Sequence, residues 1–265
     1  MLKHQKDIKQ SVPVGVLTTM AFVFVLIISS WLAPQSFSEG GRLRSVLLQI
    51  VVVAGTTLLV VRITGLKLQN ILKLRLISNS HFFLAILLGV FIVPWLEETL
   101  HFQSQFSEEV FLYEQQAQKW IQSSSGWNLV WILLSMAVIP SVCEELFFRG
   151  LILNLLVRSG NYTQAIIISS LMFGIFHRNL VFILPATLAG MLLAVLVTRS
   201  GSLLTAMTSH FMVNATAILA PHFGITSVFP WLEKTIHVPL PILFFSGLAI
   251  FFLIGKLKNT EESAK

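Results

Sequence analysis

The amino-acid sequence predicts an all-α, polytopic integral membrane protein, a helical bundle of about eight transmembrane helices. Of its 265 residues, 55% are hydrophobic and only 11% are charged, whereas a soluble domain of this length carries about a quarter charged residues. The mean hydropathy is +0.80, and the apolar residues cluster in runs near the roughly 20 residues that cross a bilayer. We therefore interpret residues 1–265 as a single membrane domain.

Apolar runs define the candidate spans in chain order. They lie near residues 12–33, 44–61, 81–96, 127–158, 163–178, 180–198, 202–220 and 238–255. The first run exceeds the ~7–15 residues of a signal-peptide core, so it is predicted to be a span. The fourth is too long for one straight span and contains Pro140, which removes a helical hydrogen bond. We expect a shorter span there, followed by a second membrane-buried helix.

Charges outside the spans predict the orientation. With both termini inside, twelve of the 18 lysines and arginines lie on the inner face and five on the outer face, while Arg149 lies within the membrane. This bias follows the positive-inside rule and predicts that both termini are cytoplasmic. The expected location is the bacterial plasma membrane, which the chain crosses several times. The net charge of +6 is explained in the same way, so membrane lipids are expected partners and nucleic acid is not.

Two further features bear on the outer face and on redox chemistry. The acidic stretch from Glu97 to Gly126 is predicted to be an outer loop, and its segment "FSEEVFLYEQQAQKWI" an interfacial helix, because its apolar residues recur at helical spacing. The single cysteine, Cys143, excludes a disulfide within the chain.

Polar side chains inside the predicted spans are the functional candidates, because a charge at bilayer depth costs ~3 kcal/mol or more. They fall in three segments, with Glu144, Glu145 and Arg149 in the fourth, His177 at the end of the fifth, and His210 and Asn214 in the seventh.

Spacing within the fourth segment separates its two carboxylates. Glu145 and Arg149 are four residues apart and share a helix face, so they are predicted to neutralise each other. Glu144 points about 100° away around the helix and cannot easily share that arginine. We therefore expect Glu144 to be an unpaired carboxylate in a low-dielectric site and a candidate general base.

His210 and Asn214 are also four residues apart and lie on one face of a predicted buried helix. Two donors on one face can polarise a carbonyl oxygen. The alternative is a hydrogen-bonded pair that joins two helices. Either His177 or His210, taken alone, would more often be a hydrogen-bonded packing residue.

Taken in order, these motifs resemble the CPBP family, which comprises the type II CAAX prenyl endopeptidases and their bacteriocin-processing relatives, also called the Abi family. The matching positions are Glu144, Glu145 and Arg149 in Glu-Glu-x-x-x-Arg, Phe173 and His177 in Phe-x-x-x-His, and His210 and Asn214 in His-x-x-x-Asn. The resemblance covers roughly residues 135–215, which we interpret as the catalytic core.

The resemblance implies an intramembrane endopeptidase that needs no cofactor or metal. In that reading Glu144 and His177 activate a water molecule, and His210 and Asn214 form the oxyanion hole. Glu145 and Arg149 support the site, and Phe173 packs against it. The expected partner is a membrane-associated protein or peptide substrate, which the sequence does not identify as prenylated or otherwise.

Three other functions are compatible with these residues. Glu144, His177 and His210 would form a two-histidine, one-glutamate zinc set, although the compact His-Glu-x-x-His motif is absent from the sequence. Cys143 could act as a nucleophile, but it is more simply a small apolar helix residue. A non-enzymatic membrane scaffold or proton-coupled carrier, including one with an immunity role, would also use intramembrane Glu, His and Arg.

The helical rise per residue predicts different depths in the membrane for Glu144 and His177. It places Glu144 toward the inner face and His177 toward the outer face if both helices are straight and full-length. The sequence therefore predicts either a helix that restarts at Pro140 or a tilted fifth span.

Overall fold

The computed structural model describes residues 14–32, 39–106, 108–177, 180–233 and 236–257, and these residues contain helices and no strand. The basic N-terminus and the polar C-terminal tail lie outside them. In chain order the α-helices are α1 (Val14–Leu32), α2 (Glu39–Leu47), α3 (Gly55–Thr64), α4 (Leu68–Leu72), α5 (Asn79–Phe91), α6 (Val93–Ser104), α7 (Glu108–Gln122), α8 (Gly126–Leu133), α9 (Ile139–Glu145), α10 (Leu153–Ser159), α11 (Tyr162–Phe176), α12 (Leu180–Ser200), α13 (Leu203–His222) and α14 (Leu240–Lys256).

Three π-helical segments connect some of these helices without a break. They are π1 (Leu48–Ala54) between α2 and α3, π2 (Leu134–Val138) between α8 and α9, and π3 (Leu146–Ile152) between α9 and α10. π-Helical turns are rare and are found often at functional sites, because they widen the helix locally and redirect side chains.

The apolar helices coincide with the predicted spans and confirm a multi-pass helical membrane bundle. Five helical stretches are long and apolar enough to cross a membrane, namely Gly40–Thr64, Asn79–Ser104, Gly126–Arg158, Val181–Ser200 and Leu203–His222. Three shorter apolar helices, Gly15–Ser30, Tyr162–Phe176 and Leu240–Lys256, occupy the remaining predicted segments. Large apolar side chains face outward, such as Phe244 and Phe251 of α14, as expected where lipid replaces water.

The predicted outer loop begins later than the sequence indicated. α6 continues through the acidic residues to Ser104, so Glu97 and Glu98 lie in a helix and not in a loop. Glu97 is buried, and Glu98 accepts hydrogen bonds from His237 and from the backbone of Val238. These two hydrogen bonds connect the Glu98 carboxylate to the segment before α14. The helix predicted in "FSEEVFLYEQQAQKWI" is present as α7.

The predicted helix restart at Pro140 is wrong. The chain is continuously helical from Gly126 to Arg158, and π2 ends at Val138, two residues before the proline. There the backbone N–H of Ile139 donates to the carbonyl of Leu134, five residues back. This wider turn accommodates a proline that has no N–H to donate.

Small residues set the spacing between α11 and α12. A β-carbon added at Gly174 would overlap the side chain of Thr187 and the carbonyl of Ile183. One added at Gly190 would crowd Arg149 and Phe173, each 3.2 Å away. These glycines therefore allow the two backbones to approach closely in a setting where no hydrophobic effect drives association.

Candidate active site

The buried ion pair predicted between Glu145 and Arg149 is present. Arg149 Nη1 lies 2.9 Å from Glu145 Oε1, and neither side chain is exposed. Arg149 also donates from Nη2 to the carbonyl of Gly190 at 3.0 Å. The guanidinium thus connects the fourth apolar segment to α12, where the absence of a side chain at residue 190 makes room for it.

The same carboxylate oxygen also holds His210. His210 Nδ1 lies 2.9 Å from Glu145 Oε1, so Glu145 bridges Arg149 and His210. Because an ionised carboxylate can only accept, His210 carries a proton on Nδ1. Its other nitrogen, Nε2, lies 4.0 Å from Glu144 Oε2. His210 therefore lies between the two carboxylates of the Glu-Glu pair.

Phe173 packs at the centre of the cluster. The Arg149 guanidinium carbon lies 4.3 Å from the centre of its ring, a cation–π distance. The edges of His177 and His210 meet the same ring, with centroid separations of 4.9 and 5.7 Å. One aromatic side chain from α11 thus contacts three of the polar residues of the proposed site.

His177 follows the last residue of α11, and its side chain is half-buried. Its Nδ1 lies 2.9 Å from the carbonyl of Phe173. A carbonyl can only accept, so Nδ1 carries the proton, and the neutral form of the ring presents a lone pair on Nε2. The charges of Glu144, Arg149 and His210 all act on this ring, which places His177 in the cluster.

The predicted difference in depth between Glu144 and His177 is therefore not observed. α11 has 15 residues, a rise of about 22 Å, against a hydrocarbon core of about 30 Å. Since this helix is too short to cross the core, its C-terminal residue reaches the interior cluster and not the opposite surface.

Asn214 lies one turn beyond His210 on α13 and is half-buried. Its Nδ2 donates to the carbonyl of Met136 at 3.2 Å. In a regular α-helix that carbonyl would accept from residue 140, and Pro140 has no N–H. Asn214 therefore supplies a donor to a carbonyl that the proline cannot serve, and its second amide hydrogen remains available.

Glu144 is not the unpaired carboxylate that helix geometry predicted. Its Oε1 accepts a hydrogen bond of 2.6 Å from Nε2 of Gln49, in π1. Its Oε2 has no hydrogen-bond partner in the structure although it is buried. Gln49 is neither ionisable nor part of the His-x-x-x-Asn motif, so it was not among the predicted site residues. The sequence feature that could have identified Gln49 is its position as the single polar residue with an amide in the apolar run "VLLQIVVVAG".

The zinc alternative requires three side chains arranged around one metal position. Across the part of the chain that the structure describes, no three His, Cys, Asp or Glu side chains are arranged to hold a metal ion. Glu144, His177 and His210 lie in one cluster but do not form such a group here. Cys143 is buried and free.

The fold and this cluster define a class, a multi-pass membrane protein with a buried Glu-Arg-His site between its helices. Residues 126–216 match the family model of the Rce1-like type II CAAX prenyl endopeptidases, which confirms the family resemblance seen in the motifs. The matched region contains all seven motif residues.

A curated relative is consistent with that match. The "Putative membrane peptidase YdiL" of Bacillus subtilis (strain 168) is 28% identical over 88 residues, which cover 33% of this chain and 36% of the relative. The chain thus aligns with little more than a third of the relative's length. No solved structure matches the chain.

Proposed function

We propose that this protein is an intramembrane endopeptidase that hydrolyses a peptide bond of a membrane-associated protein or peptide. One observation carries the proposal. Glu144, Glu145, Arg149, His177 and His210 converge in one cluster inside a membrane helix bundle, in a region that matches an endopeptidase family. Water is scarce in such an environment, so hydrolysis requires polar groups that hold and activate it.

Glu144 and His177 are proposed to activate the water. The free oxygen of Glu144, Oε2, accepts a proton from water as the water oxygen attacks the scissile carbonyl carbon. The lone pair on His177 Nε2 helps to orient that water. The proton held on Glu144 then passes to the departing amide nitrogen as the carbon–nitrogen bond breaks, which restores the carboxylate.

His210 and Asn214 are proposed to stabilise the oxyanion. His210 already carries a proton on Nδ1, so it can donate from Nε2 only as the imidazolium. In that form, the Nε2–H of His210 and the side-chain amide of Asn214 both donate to the developing oxyanion. Glu145, Arg149 and Phe173 hold His210 in place.

The membrane setting completes the proposal. The charge bias of the sequence supports an orientation with both termini cytoplasmic. The bacterial plasma membrane is the proposed location, in keeping with the Bacillus subtilis source of the curated relative. A substrate carrying a prenyl group and one without it are both compatible with the site.

The test is cleavage of membrane-anchored reporter peptides, prenylated and unprenylated, by the purified protein in lipid nanodiscs, with and without a chelator. We expect cleavage that survives chelation and is lost in Glu144→Ala and His177→Ala while both variants still insert and fold. Cleavage lost on chelation and restored by zinc would support the metal alternative. Absence of cleavage of every reporter would favour a scaffold or carrier, including one with an immunity role.

A further inference from the structure

The hydrogen bond to Glu144 comes from outside the region that matches the peptidase family. Gln49 lies on π1, within the membrane-spanning stretch Gly40–Thr64, whereas the family match begins at residue 126. The side chain is buried, at 6% exposure, and its amide nitrogen lies 2.6 Å from Glu144 Oε1. A segment distant in sequence therefore contributes a polar group directly to the proposed base.

The chemistry of the pair fixes which atoms meet. An ionised carboxylate can only accept, so the NH₂ group of Gln49 faces Glu144 and its oxygen points away. A buried amide without a partner is costly, and this bond satisfies one of its hydrogens. A hydrogen bond to a charged group is also among the stronger ones in proteins.

The two oxygens of Glu144 have different surroundings. Oε1 is held by Gln49, while Oε2 has no hydrogen-bond partner and lies 4.0 Å from His210 Nε2. Since a carboxylate held at one oxygen cannot rotate freely, Oε2 stays directed toward the cluster. Ionisable groups also interact electrostatically with Glu144, namely Cys143 on the same helix and Arg149, His177 and His210 on other elements. Gln49 orients the carboxylate without adding a charge.

We propose that Gln49 is a positioning residue that holds Glu144 with Oε2 directed at the reacting water. This inference rests on the proposed peptidase function. The π-helical geometry of π1, which packs against α9, brings Gln49 to that position.

The variant Gln49→Met tests the proposal, because methionine has a similar length and volume but no N–H donor. The matched control is Thr57→Val on the same membrane-spanning stretch, since Thr57 is buried and bonds to the carbonyl of Val53, four residues earlier in that stretch. We expect Gln49→Met to lower kcat about 10-fold or more, as for a lost hydrogen bond to a charged group. KM should stay within about twofold, because substrate contacts are retained, and Thr57→Val should keep the wild-type kcat.

Gln49→Asn provides a second variant if methionine prevents folding. Its amide is one methylene shorter and cannot reach Glu144 without moving the backbone, so we expect a loss of kcat in the same direction. Wild-type kcat in both Gln49 variants, or an equal loss in Thr57→Val, would overturn the proposal.

Infrared difference spectroscopy separates this proposal from the peptidase function itself. The carboxylate stretching band of Glu144, identified by its loss in Glu144→Gln, should shift in Gln49→Met and stay fixed in Thr57→Val. That shift is expected whether or not a cleavable substrate is found, so inactivity of the wild type would count against the peptidase function alone. An unshifted band would contradict the contact between Gln49 and Glu144.

Discussion

Two carboxylate–histidine pairs have nearly the same length in this structure but lie in opposite surroundings. His210 and Glu145 are separated by 2.9 Å, with side-chain exposures of 7% and 0%. His237 and Glu98 are separated by 2.8 Å, with exposures of 62% and 27%. In water the attraction between charges is screened and the side chains are free to move, so an exposed pair contributes little. In the interior, loss of one partner leaves the other charge without solvation.

The comparison shows that bond length does not rank these interactions, whereas burial and shared partners do. Glu145 holds both Arg149 and His210 through one oxygen. Glu98 joins α6 to the segment before α14 through His237 and Val238. The pair of His210 and Glu145 is expected to determine the geometry of the site. The pair of His237 and Glu98 is expected only to hold α6 against the segment before α14.

The largest expected effect is that of Glu145→Ala. It leaves the fully buried Arg149 without its counter-charge, so we expect a loss of about 3–5 kcal/mol in the free energy of unfolding. Denaturant titration in mixed micelles measures it, with Glu98→Ala as the control at less than about 1 kcal/mol. Adding Arg149→Met to Glu145→Ala should recover much of the loss. Equal losses of stability in Glu145→Ala and Glu98→Ala would contradict the proposed difference between the buried pair and the exposed pair.

A smaller effect is expected from Gly190→Ala, which crowds the buried pair without changing its charges. The added methyl meets Arg149 Nη2 and Phe173 at 3.2 Å, so we expect destabilisation of about 1–3 kcal/mol. Gly255→Ala is the control, because a β-carbon at that helical position has no neighbour within 4 Å. Thermal unfolding in detergent measures the stability of both variants. A Gly190→Ala protein as stable as Gly255→Ala would show that residue 190 is not tightly packed against Arg149 and Phe173.

Phe173→Leu should also weaken the buried pair, but by less than Gly190→Ala. It removes the ring that lies 4.3 Å from the Arg149 guanidinium, an interaction of about 0.5–2 kcal/mol. We expect a loss of stability in that range and a lower kcat, since both histidines also contact the ring. Phe244→Leu, at an outward-facing position that is 66% exposed, should leave both quantities unchanged. Identical behaviour of the two variants would argue against a role for the ring in the site.

The smallest effect is expected from His237→Ala in the exposed pair. Loss of the His237 side chain should cost less than about 1 kcal/mol. Where the imidazole is protonated, the cost should diminish as salt is raised, because exposed charges are screened. Melting temperatures at low and high ionic strength, together with the cleavage rate, test this. A large, salt-independent loss would show that this pair behaves like the buried one.

The sequence predicted the helical segments because an apolar run of spanning length has few alternatives in a membrane. It also predicted the bond between Glu145 and Arg149, since residues four apart on a helix face one another. It did not predict the continuous helix through Pro140, because a π-helical turn depends on a neighbour such as Asn214 that binds the freed carbonyl. Nor did it predict Gln49, because a contact across 95 positions is set by tertiary packing.

Cleavage by Glu144→Gln, compared with Glu98→Gln, tests the central claim most directly. Both changes replace a carboxylate by an amide of the same shape, one in the cluster and one in the exposed pair. With equal amounts of folded protein, we predict that Glu144→Gln loses about 10²–10⁴-fold in kcat, the contribution typical of a general base, while Glu98→Gln remains near wild type. Full cleavage by Glu144→Gln would contradict the assignment of Glu144 as the base that activates water.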